Sequence, residues 1–322
     1  MMRRADWGWA LLVIVIWGVN FVPMKLGLQE LSPLLLSAMR FCLASLPFLL
    51  FIRKPASLTW RLLALYGLVQ GVGQFGLLFA GLALGMPAGM ASVVLQAQAF
   101  ISMLLGALFL REQPKPWQWM GLIVASAGLG VIAMARGEGS GSMSLIGFVL
   151  TLGAAFMWAS SNIVVRRAAR HGHYEPVGFI VWSSLVPIVP FTALALATAG
   201  PGQVLHQLQS LDARAVFAVL YLALLATILA YAMWTRLLQR HPAARVTPFS
   251  LLVPVVGLWA AYAFLGEAPA PLQWAGAGAV LCGLVVNQVG GWLWGPGSYT
   301  HIRAHETRGK LVCRLLLEKK KK

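Results

Sequence analysis

The sequence predicts an all-α integral membrane protein whose ten transmembrane helices form two inverted five-helix repeats around a central cavity. Its 322 residues are 59% hydrophobic and only 11% charged, whereas about a quarter of the residues of a soluble domain are charged. Ten apolar runs are long enough to cross a bilayer, which takes roughly 20 residues. Residues of the same type also recur 155 positions apart, so one structural unit is present twice.

Each apolar run predicts one helix, numbered here from 1 to 10 in chain order. The first run follows two arginines, as in a signal peptide, but Asn20 and Lys25 interrupt it and no small-residue cleavage site ends it. We therefore interpret this run as helix 1. The predicted helices are residues 7–28, 32–52, 61–84, 87–110, 117–135, 145–166, 175–199, 213–236, 243–265 and 271–293.

The repeat is visible as a string of matches at one offset. Glu112 matches Glu267, and the further pairs are Tyr66 and Tyr221, Pro87 and Pro242, Pro114 and Pro269, Pro116 and Pro271, Gln118-Trp119 and Gln273-Trp274, Gly121 and Gly276, and Gly128 and Gly283. Each unit holds five predicted helices, an odd number, so equivalent helices run in opposite directions. We place the two units at residues 5–137 and 143–294, and we expect a disordered cytoplasmic tail over 295–322.

The basic residues predict the orientation of the chain. They cluster in alternate connections, at residues 3–4, 53–61, 111–115, 166–170 and 236–245, while the other connections carry little beyond Arg136 and Arg214. Because cytoplasmic loops are enriched in lysine and arginine, both termini are predicted to be cytoplasmic. The net charge of +16 is therefore an orientation signal, and no nucleic-acid partner is expected.

Five segments resemble the EamA branch of the drug/metabolite transporter superfamily. They are residues 17–21, 85–92, 94–100, 158–162 and 250–258. The resemblance covers about residues 5–293 and implies an inner-membrane exporter of small amino-acid-type metabolites, such as cysteine or O-acetylserine. It also implies a cavity lined mainly by helices 1, 3, 4, 6, 8 and 9. Inverted repeats support alternating access, because the two halves can exchange conformations.

Polar side chains at mid-membrane are candidates for the substrate cavity, since they are costly unless they face protein or water. The candidates are the amides Asn20, Gln70, Gln74, Gln96, Gln98 and Asn162, the aromatic residues Trp158 and Tyr231, and Ser250 with Pro254. Amides offer donors and acceptors that suit a zwitterion. The alternative is that these amides join neighbouring helices, and that the aromatic residues only pack.

Two details of these candidates follow from helix geometry. Gln96 and Gln98 are two residues apart, so in a regular helix they point about 200° from each other. At most one of them is then expected to face the cavity. Pro254 lies in the middle of predicted helix 9 and is expected to free the backbone carbonyl of Ser250. That carbonyl could contact the substrate, or the proline could act as a hinge or simply shape the bundle.

Three charged residues are expected to have structural or gating roles. Arg40 lies well inside helix 2, where an arginine costs about 2.5–3.5 kcal/mol on insertion scales. We favour a structural role for Arg40 over a contact with a substrate carboxylate, because helix 2 is not a main cavity-lining helix in the family that the chain resembles. Glu112 and Glu267 lie at helix ends on opposite faces of the membrane and are interpreted as symmetric capping or gate-stabilising groups.

The distribution of titratable residues bears on mechanism. None of the nine acidic residues and six histidines lies at the predicted mid-membrane, so we expect a facilitative exporter without a proton relay. An integral-membrane enzyme would need a nucleophile, metal cluster or paired acids there. A broader drug exporter of the same fold is the other alternative.

Three scattered cysteines form no disulfide or metal framework, and no cofactor is expected.

Overall fold

The computed structural model describes residues 4–135, 142–169, 174–241 and 246–293, and these ranges contain helices and no strands. Eight helices are long and apolar enough to cross a membrane, and two shorter apolar helices, Pro33–Leu49 and Phe249–Leu265, accompany them. The predicted all-helical membrane fold is thereby confirmed. The predicted tail and the repeat partner Pro242 lie outside the described residues.

We number the helices α1 to α10, several of them composed of consecutive segments. They are α1 (Arg4–Val19 and Phe21–Glu30), α2 (Pro33–Leu49), α3 (Trp60–Tyr66, Gly67–Phe75 and Gly76–Ala83), α4 (Ala88–Val94 and Ala97–Leu110), α5 (Pro116–Met134), α6 (Leu145–Ala169), α7 (Pro176–Ser183 and Leu185–Gln209), α8 (Ala213–Leu220, Tyr221–Leu229 and Ala230–Arg240), α9 (Thr247–Leu251 and Leu252–Leu265) and α10 (Pro271–Leu293).

Helix α7 continues beyond its predicted end at residue 199 to Gln209. Gly200, with φ 78° and ψ 156°, interrupts the helix there, and Pro201 begins a further helical piece because proline suits the first turn of a helix. Within that piece, the Gln207 side chain accepts a hydrogen bond from the backbone N–H of Ser32 over 3.2 Å. The Gly-Pro pair therefore redirects the chain across the start of α2, and the residues that follow the pair are again helical.

Helices α3 and α8 each contain a nine-residue π-helical segment, Gly67–Phe75 and Tyr221–Leu229. Such widened turns are rare and are frequently found at functional sites. The two segments begin 154 residues apart, almost the repeat offset. Helix α1 is interrupted at Asn20, α4 by a turn at residues 95–96, and α9 begins with a 3₁₀ turn. Together with α7, which is interrupted at Ser184 and Gly200, six helices in the described residues therefore depart from regular geometry.

Glycines let α5 and α10 approach each other at backbone distance. A Cβ added to Gly121 would lie 2.5 Å from the carbonyl oxygen of Gly283, and one added to Gly128 would lie 2.7 Å from the carbonyl oxygen of Gly276. Both distances are too short for any side chain. Small residues at a helix crossing are the usual means of close packing inside a membrane.

Two left-handed residues end α4 and α9 at equivalent positions. Arg111 has φ 56° and Gly266 has φ 63°, and each is followed by one of the glutamates of the repeat, Glu112 or Glu267. The backbone N–H groups of these glutamates donate to the carbonyls of Gly106 and Ala261, which are also 155 residues apart. The chain thus makes the same turn twice, once with glycine and once with arginine.

Arginine is strained in this conformation, so replacing Arg111 with glycine is expected to stabilise the protein. A non-glycine residue in the left-handed region costs about 1 kcal/mol, and Arg111→Gly removes that cost. Thermal unfolding in detergent measures the effect. Gly266→Ala is the matched control: a Cβ there meets nothing within 4 Å, so only the backbone conformation opposes it, and stability should fall. Shifts of the same sign in both variants would contradict this account.

Candidate functional site

A cavity of about 890 Å³ lies among the helices, and every helix except α5 contributes to its wall. This volume is within the range of small-molecule sites, about 300–1,000 Å³. Eight of the residues singled out from the sequence line it, namely Asn20, Gln74, Gln96, Gln98, Trp158, Asn162, Tyr231 and Ser250. Gln70 and Pro254 do not. The structure therefore brings most of the predicted polar and aromatic candidates to one space.

Gln70 lies behind the wall and supports Gln74, which faces the cavity. The Gln70 side-chain amide donates to the carbonyl oxygen of Gln74, and the hydroxyl of Ser161 on α6 donates to the carbonyl oxygen of Gln70. Both glutamines are buried and belong to the π-helical segment of α3. This chain of hydrogen bonds joins α3 to α6 and fixes the orientation of the Gln74 amide.

A second group of polar side chains joins α4 to α6. The Nδ2 group of Asn162 donates to Oε1 of Gln98 over 3.1 Å and to Oγ of Ser102 over 3.0 Å. These two bonds use both amide hydrogens of Asn162. In the described part of the chain, the Gln98 NH2 group donates no hydrogen bond and the side-chain oxygen of Asn162 accepts none. Both remain available to a ligand.

Both Gln96 and Gln98 line the cavity, so the expectation that at most one of them does is wrong. The 200° estimate assumed a regular helix, but α4 is interrupted by a turn at residues 95–96. The Gln96 amide donates over 3.5 Å to the backbone carbonyl of Ser250 on α9. The irregular parts of α4 and α9 therefore contact each other at the cavity wall.

Pro254 is buried behind the wall, and its position differs from the expected one. The α-helical part of α9 begins at Leu252, so Pro254 is in its first turn, where a missing N–H breaks no hydrogen bond. The irregular backbone comes earlier, in the 3₁₀ turn Thr247–Leu251. The carbonyl of Pro254 accepts from the Ser92 hydroxyl over 3.4 Å, which ties α9 to α4.

Aromatic side chains of α1 and α8 form one wall of the cavity. The ring of Trp17 lies 5.2 Å from that of Tyr231 and 5.5 Å from that of Trp234. The Trp17 indole N–H donates to the backbone carbonyl of Ala226 over 3.1 Å, inside the π-helical segment of α8. Because its one donor is satisfied by protein, Trp17 presents an apolar face to the cavity.

Arg40 also lines the cavity, which was not expected from its place on helix 2. Its Nε and Nη2 atoms donate to the hydroxyl oxygen of Thr227 over 3.2 and 3.0 Å, and its guanidinium carbon lies 3.8 Å from the ring centre of Phe75. Gln288 on α10 is a further cavity residue that was not singled out from the sequence. The only signal for Gln288 was an amide within an apolar run.

The two repeat-related glutamates have different partners. The carboxylate of Glu267 is buried and accepts the backbone N–H groups of Ala88 and Gly89 over 2.8 and 2.9 Å. It therefore caps the N-terminus of α4, whose unpaired N–H groups and positive dipole favour an anion. Glu112 is half exposed and pairs with Arg166 over 2.7 Å. Positions 243 and 244, which correspond to Ala88 and Gly89, lie outside the described residues.

Comparison with known proteins supports one family. The model of the EamA-like transporter family matches the chain twice, over residues 7–134 and 145–288. A probable amino-acid metabolite efflux pump of Salmonella typhimurium is 43% identical over 290 residues, which cover 90% of this chain and 96% of that protein. A protein with the same description from Escherichia coli is 41% identical over 290 residues, with coverage of 90% and 96%.

A protein of known crystal structure has the same fold. It superposes with a TM-score of 0.58 at 17% identity, and the match covers 88% of this chain and 96% of the other. The family matches extend over nearly all of the helices described above, and the resemblance inferred from the sequence is confirmed. The chain therefore belongs to the EamA-like transporter family and is a multi-pass membrane transporter.

Proposed function

We propose that the protein exports small amino-acid-type metabolites, such as cysteine or O-acetylserine, across the bacterial inner membrane by alternating access. The observation that carries this proposal is the 890 Å³ cavity, whose wall combines uncommitted amide groups with aromatic rings. Amides can accept from an ammonium group and donate to a carboxylate. The relatives named as probable amino-acid metabolite efflux pumps support the same class of cargo.

We further propose that residues 5–137 and 143–294 are two inverted five-helix repeats. The glycine contacts between α5 and α10 support this arrangement. Gly121 contacts Gly283 and Gly128 contacts Gly276, while the sequence offset makes Gly121 equivalent to Gly276 and Gly128 equivalent to Gly283. Such a reciprocal exchange of partners is what a twofold axis produces. The matching π-helical segments of α3 and α8 and the two separate family matches are consistent with it.

The cavity extends toward one end of the bundle. Its lining includes Tyr174, Pro176 and Thr235, which lie near the helix ends that carry Arg166 and Arg236. By the positive-inside rule, we place the arginine-rich ends in the cytoplasm. The opposite end is held by the cap of Glu267 on α4. We infer an inward-facing conformation with both termini in the cytoplasm, ready to accept a metabolite from inside the cell.

The proposed transport is facilitative and needs no proton carrier. The residues that line the cavity include no carboxylate and no histidine among the described positions, and such groups normally carry protons through a membrane protein. We expect counterflow of labelled cysteine in proteoliposomes to persist when a protonophore collapses the pH gradient. Uptake that requires an imposed pH gradient, and that a protonophore abolishes, would contradict facilitative transport.

Transport by single-site variants tests the site. Gln98→Ala and Asn20→Ala each remove a polar group from the cavity wall, and each is expected to weaken cysteine counterflow about fivefold, as loss of one hydrogen bond worth about 1 kcal/mol predicts. Gln29→Ala is the matched control, because Gln29 is an exposed amide of the same helix as Asn20. Unchanged transport by both cavity variants would remove the proposed site.

A dye assay separates amino-acid export from broader drug export. The same vesicles are tested with labelled cysteine, labelled O-acetylserine and ethidium, a bulky cation. We expect the amino acids to exchange and the dye to remain, since Arg40 places a positive charge in the wall. Movement of the dye alone would contradict the amino-acid proposal and support drug export. We expect no chemical conversion of the cargo, in keeping with a family of transporters and not of enzymes.

A further inference from the structure

We propose that Arg40 binds the carboxylate of the cargo, and that the amide oxygens of Asn20 and Gln288 accept hydrogen bonds from its ammonium group. The cavity would then select zwitterions that carry both groups. This inference rests on the proposed function and specifies the chemistry that one site would recognise.

The guanidinium of Arg40 is held in a fixed orientation. Two of its nitrogens donate to the hydroxyl oxygen of Thr227, and that hydroxyl in turn donates to the backbone carbonyl of Leu222 over 2.7 Å. The ring of Phe75 covers one side of the guanidinium at 3.8 Å. The side chain is only 1% exposed. An arginine restrained in this way is preorganised for a planar ligand, because little side-chain freedom remains to be lost.

The charge of Arg40 has no anionic partner in the described part of the chain. The ion pairs there join Arg166 to Glu112, and Arg240 and His241 to Asp6. A buried charge is costly unless it is paired, and the faces of aromatic rings supply only part of what a carboxylate supplies. The third guanidinium nitrogen, Nη1, is buried and has no hydrogen-bond partner. The site therefore lacks an anion that would pair with the charge of Arg40 and accept a hydrogen bond from its Nη1 atom.

Two further buried polar atoms in the described residues lack a partner, and both belong to cavity residues. They are Oδ1 of Asn20 and Oε1 of Gln288. Most buried polar atoms in folded proteins are hydrogen-bonded, so atoms that are not call for an explanation. All three atoms belong to residues that border the same cavity, on α1, α2 and α10, and in this structure each atom is itself covered by protein. Small side-chain movements would bring them to the cargo, which then satisfies them.

The three unpaired atoms match the two charged groups of a zwitterion in hydrogen-bonding role and in charge. Two carbonyl oxygens can accept from an ammonium group, and a guanidinium N–H can donate to a carboxylate. A cation without a carboxylate would leave the charge of Arg40 unpaired and would be repelled by it. An anion without an ammonium would leave both amide oxygens unpaired. Each defect weakens binding, so a molecule with both groups is preferred over either half of it.

The first test uses the unaltered protein and three ligands of similar size. L-Cysteine carries both charged groups, cysteamine lacks the carboxylate, and 3-mercaptopropionate lacks the ammonium. Each is added as a competitor of labelled L-cysteine counterflow in proteoliposomes. We expect L-cysteine to compete at least roughly tenfold more strongly than cysteamine, as loss of a charged hydrogen-bonded pair predicts. We expect 3-mercaptopropionate to be intermediate.

The second test asks whether that preference depends on Arg40. Arg40→Gln is expected to weaken competition by L-cysteine roughly tenfold or more, while competition by cysteamine becomes stronger because its repulsion by Arg40 is removed, so the ratio between the two ligands falls toward one. A purely structural Arg40 would weaken both ligands equally. Thr227→Val is the graded comparison, because it removes the hydroxyl that orients Arg40 but keeps the charge. It should lower the preference for L-cysteine, but less than Arg40→Gln does.

The outcomes separate this inference from the proposed function. If the unaltered protein exchanges no amino acid, the proposed function fails. If it exchanges L-cysteine but cysteamine competes equally well, or if Arg40→Gln keeps the original ratio, the role of Arg40 is overturned while the function stands. Should Arg40→Gln not fold, Thr227→Val decides the question: a lowered preference for L-cysteine supports the role of Arg40, and an unchanged ratio overturns it.

Discussion

Replacing Glu267 with alanine is expected to open the cavity toward the end of the bundle at which α4 begins. The Glu267 carboxylate accepts both the Ala88 and the Gly89 backbone N–H groups at the start of α4. Its loss leaves two buried donors unpaired, and each costs about 1–3 kcal/mol. Because α9 and α4 are joined there by this cap, weakening it favours conformations in which the two helices separate.

Thiol labelling in whole cells measures the opening. A cysteine introduced at Ser92, a cavity residue of α4 near the cap, is treated with a membrane-impermeant reagent from outside, in a protein whose three native cysteines are replaced. Glu267→Ala should raise the labelling rate several-fold. Glu112→Ala is the matched control at the equivalent position: it removes a half-exposed ion pair, worth at most about 1 kcal/mol, at the other end. If both variants label alike, the closing role assigned to Glu267 is wrong.

The second large effect is expected at the crossing of α5 and α10. Gly128→Leu adds a side chain where even a Cβ would be 2.7 Å from a backbone carbonyl oxygen and 2.8 Å from the backbone nitrogen of Val280. Neither backbone can yield without moving its helix, so the two helices must separate. Overpacking of this kind costs about 1–3 kcal/mol or more. We expect little monodisperse protein after purification in detergent.

The same helix offers a control for this substitution. A Cβ at Gly130 would meet nothing within 4 Å, so Gly130→Leu should leave the yield and melting temperature nearly unchanged. Gly276→Leu enlarges the other side of the same contact and should resemble Gly128→Leu. Since both variants break one interface, their combination should cost less than the sum of the two. Equal behaviour of Gly128→Leu and Gly130→Leu would show that the crossing does not limit stability.

The positions of the helices could be predicted because they depend on local composition. A bilayer requires long apolar runs, and a run such as residues 61–84 has no other stable form in lipid. The interruptions within helices could not be predicted in the same way. The widened turn of α8 accepts a hydrogen bond at Ala226 from Trp17, 209 residues away, and such long-range contacts are not visible in the local sequence. Sequence periodicity assumes regular helices, which is why it failed for Gln96 and Gln98.

The chemical character of the site could be predicted from the sequence better than the identity of the residues that line it. A mid-membrane amide such as Gln98 is conspicuous in the sequence because it is costly there. Whether such a residue faces the cavity or its neighbours depends on how distant helices pack. Gln70 proved to support Gln74 from behind. Arg40 reaches the cavity because Thr227, 187 residues later in the chain, holds its guanidinium, and nothing near Arg40 in the sequence indicates that contact.

The reciprocal glycine contacts of α5 and α10 have a consequence for how such a cavity can originate. A contact surface that is complementary to itself would allow one half-length chain to pair with an oppositely inserted copy. Two identical copies, however, would carry the same charge on both sides of the cavity. In the present chain the 155-residue offset aligns Arg40 with Ala195 and Gln98 with Val253. In the proposed repeat, joining the halves in one polypeptide lets each half change on its own, so the two sides of the binding space can differ in chemistry.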